Sequence, residues 1–422
     1  MIYNETRYNS HWDTKKLSDL GVFARGKSKH RPRDDERLYE GGGYPLIQTG
    51  EVKAANLYIT KHEQEYGEFG LAQSKLWDAG TLCITIAANI AETAILSYPM
   101  CFPDSVVGFR AYPEVSSELF MHYVFTYIRN SIQNSVSGSI QDNINIDYLS
   151  QLDFKVPDKT YQDKVVGILG AIDQKIDTNN RICEELEMMA KTIYDYWFTQ
   201  FDFPDADGKP YRSSGGAMEW NDQIKRDIPK GWNVGNLYVI AEPINGLACQ
   251  KYRPKEGEQV LPVVKIKEMH EGITADTESV SAGIPEKHKI FDGDILFSWS
   301  ATLEVMYWFG GNAGLNQHIF KVFPKAGYSK EYVYHQFSAY VINFVKMAEA
   351  RKTTMGHITT DHLDQSRIVL PPAEVMHAFS EIVAPIHKKI GHCCKENREL
   401  TKLRDWLLPM LMNGQAKITQ NR

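Results

Sequence analysis

Two stretches of the chain place apolar residues at alternating spacings of four and three, which is typical of one face of a long α-helix. The first pattern runs from Ile172 to Trp197, within a predicted helix over residues 162–197, and the second runs from Ile386 to Leu411. We predict that the two helices pack antiparallel with Asn179 opposite Asn397, because a buried asparagine pair fixes the register of a helical seam. In the alternative, each helix packs on its own neighbouring module and the spacing is ordinary amphipathicity. The predicted seam residues are Ile172, Ile176, Asn179, Cys183, Leu186, Ile193, Ile386, Ile390, Cys393, Asn397, Leu400 and Leu407.

The chain also repeats itself. Asp147-Tyr148-Leu149 recurs as Asp361-His362-Leu363, an offset of 214 residues, and the same offset carries Ile172 onto Ile386. Further upstream the register drifts, as insertions would cause, but the six residues from Trp12 still resemble the six from Trp232. A period this long indicates a duplicated pair of domains and not a short-repeat solenoid.

Each repeat contains a module of mixed strands and helices before its long helix. Short β-rich runs, several of them entered through a glycine turn, predict the strands, and longer apolar patterns predict the helices. The predicted strands are residues 44–50, 81–86, 261–266 and 294–298, and the predicted helices are residues 118–134 and 330–349.

These features predict an α+β fold in which two α/β-mixed domains, in tandem duplication, are separated by two long antiparallel coiled-coil helices. Turn-forming residues dominate the segment after the first long helix, which predicts a linker loop there. The predicted segments are a first module over residues 1–157, a central helix over 158–201, a linker loop over 202–230, a second module over 231–371, a distal helix over 372–415 and a tail over 416–422.

Composition and charge narrow the class of protein. The 422 residues are 43% hydrophobic and 24% charged, which is typical of globular proteins, and the net charge of −6 excludes a histone-like basic protein. The six cysteines show no CxxC spacing, so we expect reduced thiols in a cytoplasmic protein. The longest apolar stretch, Leu82 to Leu96, is interrupted by polar residues, and we expect no membrane segment.

The motifs of several enzyme classes are absent from the sequence. It contains no GxxxxGK[ST] phosphate loop and no HExxH zinc motif. A glycine-rich methyl-donor loop is also missing, and Leu370-Pro371-Pro372-Ala373 does not match the Asn/Asp-Pro-Pro-aromatic tetrapeptide of amino-methyltransferases. We therefore predict a chain with no catalytic residue, no metal site and no cofactor of its own.

One segment has a composition suited to nucleic acid. Residues 25–33, here called the basic loop, hold five basic side chains among nine residues and no acidic one. Such a loop can neutralise phosphates, and its arginines can reach guanine edges. The alternative is a solvated surface loop, balanced in part by the three acidic residues 34–36. The five predicted DNA-binding cations are Arg25, Lys27, Lys29, Arg31 and Arg33.

Further polar residues at predicted strand ends are weaker candidates for DNA contact, because each could equally be an ordinary surface or strand-end residue. In the first module they are Gln48, Thr49, Lys53 and Asn89, and in the second they are Lys265, Lys267, Trp299, Ser300, Asn316, Gln317, His318, Arg351, Lys352 and Thr353.

This layout resembles the DNA-specificity subunit of type I restriction–modification systems, and the resemblance covers nearly the whole chain. The sharpest local matches are Gln200-Phe201-Asp202-Phe203-Pro204, Asp207-Gly208-Lys209-Pro210-Tyr211 and Ser213-Ser214-Gly215-Gly216, and Ile228-Pro229-Lys230-Gly231-Trp232 follows at the start of the second repeat. Also typical of the family are residues 44–53, Gly293-Asp294-Ile295-Leu296-Phe297-Ser298-Trp299-Ser300 and Leu315-Asn316-Gln317-His318.

The resemblance implies a non-catalytic role in defence against foreign DNA. Residues 1–157 and 231–371 would be target-recognition domains, each binding one half of a split, asymmetric site on double-stranded DNA. The two helices would be spacers that dock modification subunits. Two modification subunits would bind the methyl donor, and restriction subunits would cleave DNA and use ATP.

Two other hypotheses stay open from the residues alone. A duplicated coiled-coil scaffold that binds only protein partners is favoured by the net charge of −6. A self-sufficient methyltransferase-nuclease is disfavoured by the missing motifs.

Overall fold

The structure is a computed structural model that describes residues 2–137, 144–300, 302–350, 360–416 and 418. The chain forms two compact units. The first unit combines Met1–Thr178 with Glu399–Arg422, and the second is Asn179–Arg398. Both unit boundaries fall inside the long helices, whereas the sequence-based division treats each helix as a separate segment.

The part of the first unit that precedes residue 179 begins with short strands and ends with the start of a long helix. Its strands are β1 (Asp13–Lys16), β2 (Gly21–Arg25), β3 (Tyr44–Leu46), β4 (Tyr58–Ile59), β5 (Gln64–Tyr66), β6 (Leu76–Trp77), β7 (Leu82–Thr85), β8 (Thr93–Leu96), β9 (Met100–Cys101), β10 (Val106–Ala111) and β11 (Asp153–Val156). Its helices are α1 (Leu17–Leu20), α2 (Thr49–Ala54), α3 (Glu68–Gln73), α4 (Glu118–Ser137), α5 (Ile146–Gln151) and α6 (Lys159–Tyr194), of which α6 continues into the second unit.

Two sheets and a strand pair build the first unit. One sheet has the order β2-β10-β7-β8-β4, the other has the order β5-β3-β9-β6, and β1 pairs with β11. The helix α4 packs on the first sheet, and fully buried Phe109, Phe120 and Phe125 belong to the same core. Burial of such aromatic side chains supplies much of the stability of a core.

The second unit begins within α6 and adds a hairpin before its own module. Its strands are β12 (Met218–Asn221), β13 (Arg226–Pro229), β14 (Asn233–Gly235), β15 (Ala241–Asn245), β16 (Val260–Val264), β17 (Ser279–Ser281), β18 (Lys289–Ile290), β19 (Ile295–Ser298), β20 (Glu304–Tyr307), β21 (Ala313–Leu315), β22 (Ile319–Pro324) and β23 (Ile368–Leu370). Its helices are α7 (Leu237–Ile240), α8 (Ile266–Glu271), α9 (Lys330–Ala350), α10 (Thr360–Asp364) and α11 (Ala373–Met412), of which α11 continues into the first unit.

The strand order of the first unit recurs in the second, except that the first sheet of the first unit carries a fifth strand, β4. One sheet has the order β15-β22-β19-β20, the other has the order β17-β16-β21-β18, and β14 pairs with β23. In both units the second sheet contains one parallel pair, β3 with β9 and β16 with β21. The tandem duplication inferred from the sequence is therefore a duplication of topology.

Two strands are shorter than predicted because a helix begins where each was expected to continue. The prediction placed strands over residues 44–50 and 261–266, but β3 ends at Leu46 and β16 at Val264. The Glu51 carboxylate accepts a hydrogen bond from the backbone amide of Gln48, and the Glu268 carboxylate accepts one from the backbone amide of Lys265. A carboxylate in the first helical turn that accepts from the residue before the helix is a start signal for that helix.

The predicted linker loop contains the β12–β13 hairpin and is tightly packed. Phe203 stacks on Trp232 with ring centroids 5.0 Å apart, and Tyr211 stacks on Phe203 at 4.7 Å. Asp202 accepts hydrogen bonds from the amide and hydroxyl of Ser213, which lower the pKa of this carboxyl. The segment is therefore a folded part of the second unit.

The helix α11 persists through two prolines that could have interrupted it. The helix α11 continues through Pro385 and Pro409 and ends at Met412, and Gly414 follows with a φ of +78°. A glycine in this left-handed conformation is a common end of a helix. Within the described ranges, none of the helices combines the length and the apolarity that a bilayer crossing requires.

Candidate nucleic-acid interface

The basic loop is anchored at the end of β2. The amide of Gly26 donates to the Val106 carbonyl at 2.8 Å, and the amide of Lys27 donates to the Phe102 carbonyl at 3.1 Å. A Cβ on Gly26 would lie 2.3 Å from that Phe102 oxygen, so the approach requires glycine. The loop is thereby held against the residues that follow β9.

The five cations of the basic loop are all exposed, but they are not equally available. Arg25 donates to the Asp104 carbonyl at 2.9 Å, and Arg33 forms an ion pair with the Asp104 carboxylate at 2.6 Å. Arg31 donates to the backbone carbonyls of Ser28 and His30 in its own loop. Three arginines are therefore pre-positioned by local hydrogen bonds.

Asp35, one of the three acidic residues after the loop, contacts residues other than the five loop cations. Asp35 accepts hydrogen bonds from Arg37 and is paired with His30 at 2.7 Å. These donors hold the pKa of Asp35 well below its ordinary value. Asp35 therefore interacts with Arg37 outside the loop and with His30 inside it, and Asp104 pairs with Arg33.

Gln48 lies beside the basic loop, whereas the other candidates of the first module do not gather there. Gln48 and Arg33 line one cavity of about 370 Å³, and the Gln48 amide donates to Gln64 at 3.0 Å. Thr49 is the first residue of α2, and Lys53, near the other end of that helix, lines a different cavity of about 160 Å³ with Arg129 and Arg404. Lys53 is therefore turned towards the long helices.

Asn89 lies in the loop between β7 and β8. Ala88 and Ala91 in this loop have positive φ angles of 60° and 61°, and the Asn89 carbonyl accepts a hydrogen bond from the Thr85 hydroxyl. A non-glycine residue in the left-handed region is uncommon and indicates a constrained turn. The loop therefore presents Asn89 from a fixed backbone.

The second unit gathers several candidates at the matching place. The indole of Trp299 donates to the Asn245 side chain at 3.1 Å, and its ring contacts the His318 ring with centroids 5.5 Å apart. Gln317 hydrogen-bonds His318 at 3.3 Å, and the buried Asn316 side chain accepts from the His318 amide at 3.2 Å. Trp299, Gln317 and His318 are partly exposed. The buried Asn316 side chain fixes the backbone of His318 through its hydrogen bond.

Lys265 lies at the same edge of the second unit as these residues. The Asn316 amide donates to the Val264 carbonyl, which places Lys265 next to Asn316 at the ends of two parallel strands. Lys265 pairs with Glu278 at 2.7 Å, and this contact lowers the pKa of Glu278.

Lys267 is exposed on α8 and pairs with Glu271, and Ser300 is buried. The candidates Arg351, Lys352 and Thr353 lie outside the described residues.

The two edges are built in the same way. In the second unit Gly246 donates to the Ile319 carbonyl at 3.0 Å, and a Cβ on it would lie 2.1 Å from the Asn316 carbonyl oxygen. Gly246 thus repeats the role of Gly26. We define the first polar edge as the basic loop with Gln48 and Asp104, and the second polar edge as Asn245, Lys265, Trp299, Asn316, Gln317 and His318.

Asn245 was not among the predicted residues. It ends β15 as Arg25 ends β2, and both are followed by the tightly packed glycine. The alignment of Trp12 with Trp232, extended downstream at the same spacing, carries Arg25 onto Asn245 and could have identified it.

The predicted seam residues are buried or partly buried without exception. In the second unit Asn179 donates to Asn397 at 2.8 Å and to Glu396 at 2.8 Å, while Asn397 donates to Asn180 at 2.7 Å. The Cys183 thiol, further along α6, points at the Ile390 carbonyl, earlier on α11. The segments of α6 and α11 in this unit therefore run antiparallel with the predicted asparagine pair in register.

The first unit contains a charged contact between the same two helices. Arg404 donates to the Asp173 carboxylate at 3.1 Å, and the Tyr123 hydroxyl donates to it at 2.6 Å. Asp173 is only 2% exposed, so this carboxylate depends on both donors. Val165 and Leu169 of α6 also pack in the first core, so the helix contacts its own module as well as its partner.

Comparison with known proteins identifies the family. The type I restriction modification DNA specificity domain matches residues 9–188 and 229–402. The MjaIX specificity subunit of a type I restriction enzyme from Methanocaldococcus jannaschii is 22% identical over 97% of this chain and 94% of its own. The HindI specificity subunit from Haemophilus influenzae is 25% identical over 64% of this chain and 71% of its own.

A solved structure agrees in fold. The crystal structure of the type I restriction–modification S subunit from M. genitalium superposes with a TM-score of 0.56 at 14% identity, covering 99% of this chain and 100% of that one. The superposition extends over both repeats of this chain, which agrees with a fold of two mixed domains in tandem. With the family match extending over both repeats, this chain belongs to the type I restriction–modification DNA specificity family.

Proposed function

We propose that this chain is the non-catalytic DNA-recognition subunit of a type I restriction–modification complex, and that each unit recognises one half of a split, asymmetric DNA site. The observation that carries the proposal is a strand order that occurs twice and ends each time in a polar edge of different chemistry. The first edge is cationic, whereas the second presents amides, an indole and an imidazole. Unlike donors and acceptors select unlike base sequences.

The first polar edge suits the phosphate backbone. Its five exposed cations can displace counterions, which is the main source of affinity in most DNA complexes. Arg25 and Arg33 are held by Asp104, so their guanidinium groups lose little conformational freedom on binding. Gln48 beside them offers both a donor and an acceptor to a base edge.

The second polar edge suits hydrogen bonding to bases. Asn245 and Gln317 carry amides, which pair with adenine in the major groove. Trp299 fixes Asn245 through the indole hydrogen bond and leaves the amide nitrogen of Asn245 for a ligand. Lys265 adds one cation, although Glu278 shares its charge.

We propose further that α6 and α11 form a coiled-coil spacer that docks two modification subunits. The seam contacts support the coil. The exposed faces support docking, because Met188 is 61% exposed and Met189 53% on α6, and Trp406 is 58% exposed on α11. The repeat offset carries Met189 onto Leu403, which is also exposed, so both repeats present apolar groups at the same helical position. An exposed apolar residue at the same helical position of both repeats suits two copies of one partner.

In this proposal the chain supplies no catalytic group. The modification subunits would bind the methyl donor and transfer methyl groups, and restriction subunits would use ATP and cleave DNA. The missing phosphate-loop and methyltransferase motifs support this division of labour.

A module exchange tests the proposal. Residues 231–371 are replaced by the matching module of a relative, the chain is co-expressed with its modification subunits, and methylated sites are mapped by sequencing the host DNA. One half-site should change while the other half and the gap are kept. A change in both halves would contradict independent recognition. A chain that binds partner proteins but directs no methylation and binds no DNA would favour the protein-only scaffold instead.

A further inference from the structure

Three of the six cysteines meet between two helices of the second unit. Cys183 lies on α6, and Cys393 and Cys394 lie on α11. All six cysteines are free thiols in this structure. Cys183 and Cys393 were both predicted to lie in the helical seam, whereas Cys394 was not.

The register of the helices places Cys183 beside Cys394. The Cys183 sulfur lies 3.8 Å from the Ile390 carbonyl oxygen. In an α-helix that oxygen accepts from the amide four residues on, which is the amide of Cys394. The Cα–Cβ bond of a helical residue leans towards the N-terminal end of its helix, so the Cys394 side chain leans back towards Cys183.

Both neighbouring thiols, Cys393 and Cys394, interact with Cys183. The contact between Cys183 and Cys394 lowers the pKa of Cys394 and raises the pKa of Cys183. Cys394 is therefore the sulfur that is more readily a thiolate, and thiolates are the reactive form.

Access to solvent separates the three thiols further. Cys183 and Cys394 are partly exposed, whereas Cys393 is 2% exposed. A small oxidant from solvent can therefore reach the Cys183–Cys394 pair. The cysteines outside this cluster, Cys83, Cys101 and Cys249, are buried.

We propose that Cys183 and Cys394 form a peroxide-responsive dithiol whose oxidation cross-links α6 to α11 within the second unit. The Cys394 thiolate attacks a peroxide oxygen, the O–O bond breaks, and Cys394 becomes a sulfenic acid while hydroxide leaves. The Cys183 sulfur then attacks the Cys394 sulfur, and the S–O bond breaks with loss of water. Both thiols are oxidised, each losing its hydrogen, and hydrogen peroxide is reduced to two molecules of water.

This property goes beyond DNA recognition and does not depend on it. The cross-link would close almost the whole second unit into one covalent loop. Closing a long loop restricts the unfolded chain, so the oxidised protein should unfold at a higher temperature than the reduced one.

Peptide mapping of the full chain tests the proposal. The reduced protein is treated with hydrogen peroxide in native buffer, remaining thiols are alkylated, and the protein is digested with trypsin without reduction. Cleavage after Arg181, Lys191, Lys389 and Lys395 releases residues 182–191 and 390–395. We expect these two peptides joined by a disulfide, which a reductant then separates.

Serine variants show which sulfurs form the disulfide, because the peptide of residues 390–395 contains both Cys393 and Cys394. C393S should form the cross-link as the wild type does, and C394S and C183S should lose it. In C183S the sulfenic acid should persist at Cys394 and react with dimedone. A cross-link lost in C393S but kept in C394S would overturn the assignment, and so would a disulfide between Cys393 and Cys394. Alkylation of both Cys183 and Cys394 after native peroxide treatment would overturn the proposal altogether.

Discussion

Replacing two stacked histidines in the second unit should make the protein less sensitive to mild acid. His335 of α9 and His387 of α11 stack with ring centroids 5.2 Å apart, and they are 5% and 7% exposed. Among the residues that the structure describes, Nε2 of His335 and both ring nitrogens of His387 have no hydrogen-bond partner. A protonated imidazole here would be a buried charge without compensation.

The size of the effect follows from the pKa of each ring. Burial, with His387 and Lys191 nearby, lowers the pKa of His335 from 6.5 to about 3. Burial and Lys330 lower the pKa of His387 to about 4. The unfolded chain therefore binds protons first as the pH falls below 6.5. The stability that the neutral rings provide is complete above that pH and is lost towards pH 4, by roughly 2 kcal/mol for each histidine between pH 7 and pH 5.

The assay compares urea unfolding at pH 7 and pH 5, monitored by circular dichroism, for the wild type and H335F/H387F. Phenylalanine keeps an aromatic ring beside Tyr194 and Tyr307 but cannot titrate. The free energy lost between the two pH values should be smaller in the variant by about 4 kcal/mol, the sum of two such contributions. Any packing cost is present at both pH values and cancels. The matched control H392Q removes an exposed histidine of α11 and should behave as the wild type.

A variant that keeps the full pH dependence of the wild type would refute this reasoning. It would mean that the two imidazoles titrate in the folded protein as they do in water, or that another group compensates their charge.

Other predictions concern the helices and the DNA. R404M should destabilise the protein by on the order of 3 kcal/mol in thermal or urea unfolding, because it leaves the buried Asp173 carboxylate without its cation, and D173N/R404M should recover most of the loss. Alanine at all five cations of the basic loop should weaken DNA binding and reduce the slope of log affinity against log salt by roughly 0.9 per lost phosphate contact, and an unchanged slope would mean a merely solvated loop. Inserting four residues near Thr178 lengthens α6 by about 6 Å and should lengthen the gap between the two half-sites of the methylated DNA by about one or two base pairs. An unchanged gap would mean that the helices do not set the separation of the half-sites. The purified chain alone should show no methyltransferase, nuclease or ATPase turnover, and robust activity without partner subunits would contradict the proposed role.

The helices and the duplication could be predicted from the sequence because their signals are local or repetitive. Heptad spacing depends on neighbouring turns of one helix, so it located both long helices and the Asn179–Asn397 pair. The offset of 214 residues needed only a comparison of the chain with itself. The ends of β3 and β16 were predicted wrongly, because the carboxylates of Glu51 and Glu268 help to start α2 and α8 before the predicted strands end.

The composition of each polar edge was decided by tertiary structure. Nothing local in the sequence indicates that Asn245 meets Trp299, that Lys53 lines a cavity with Arg404, or that Ser300 is buried. The same holds for the two helical contacts at equivalent positions, since Tyr123 and Asp173 hydrogen-bond in the first unit while His335 and His387 stack in the second. Such contacts join residues far apart in the chain, and only the packing of strands and helices brings their side chains within hydrogen-bonding distance.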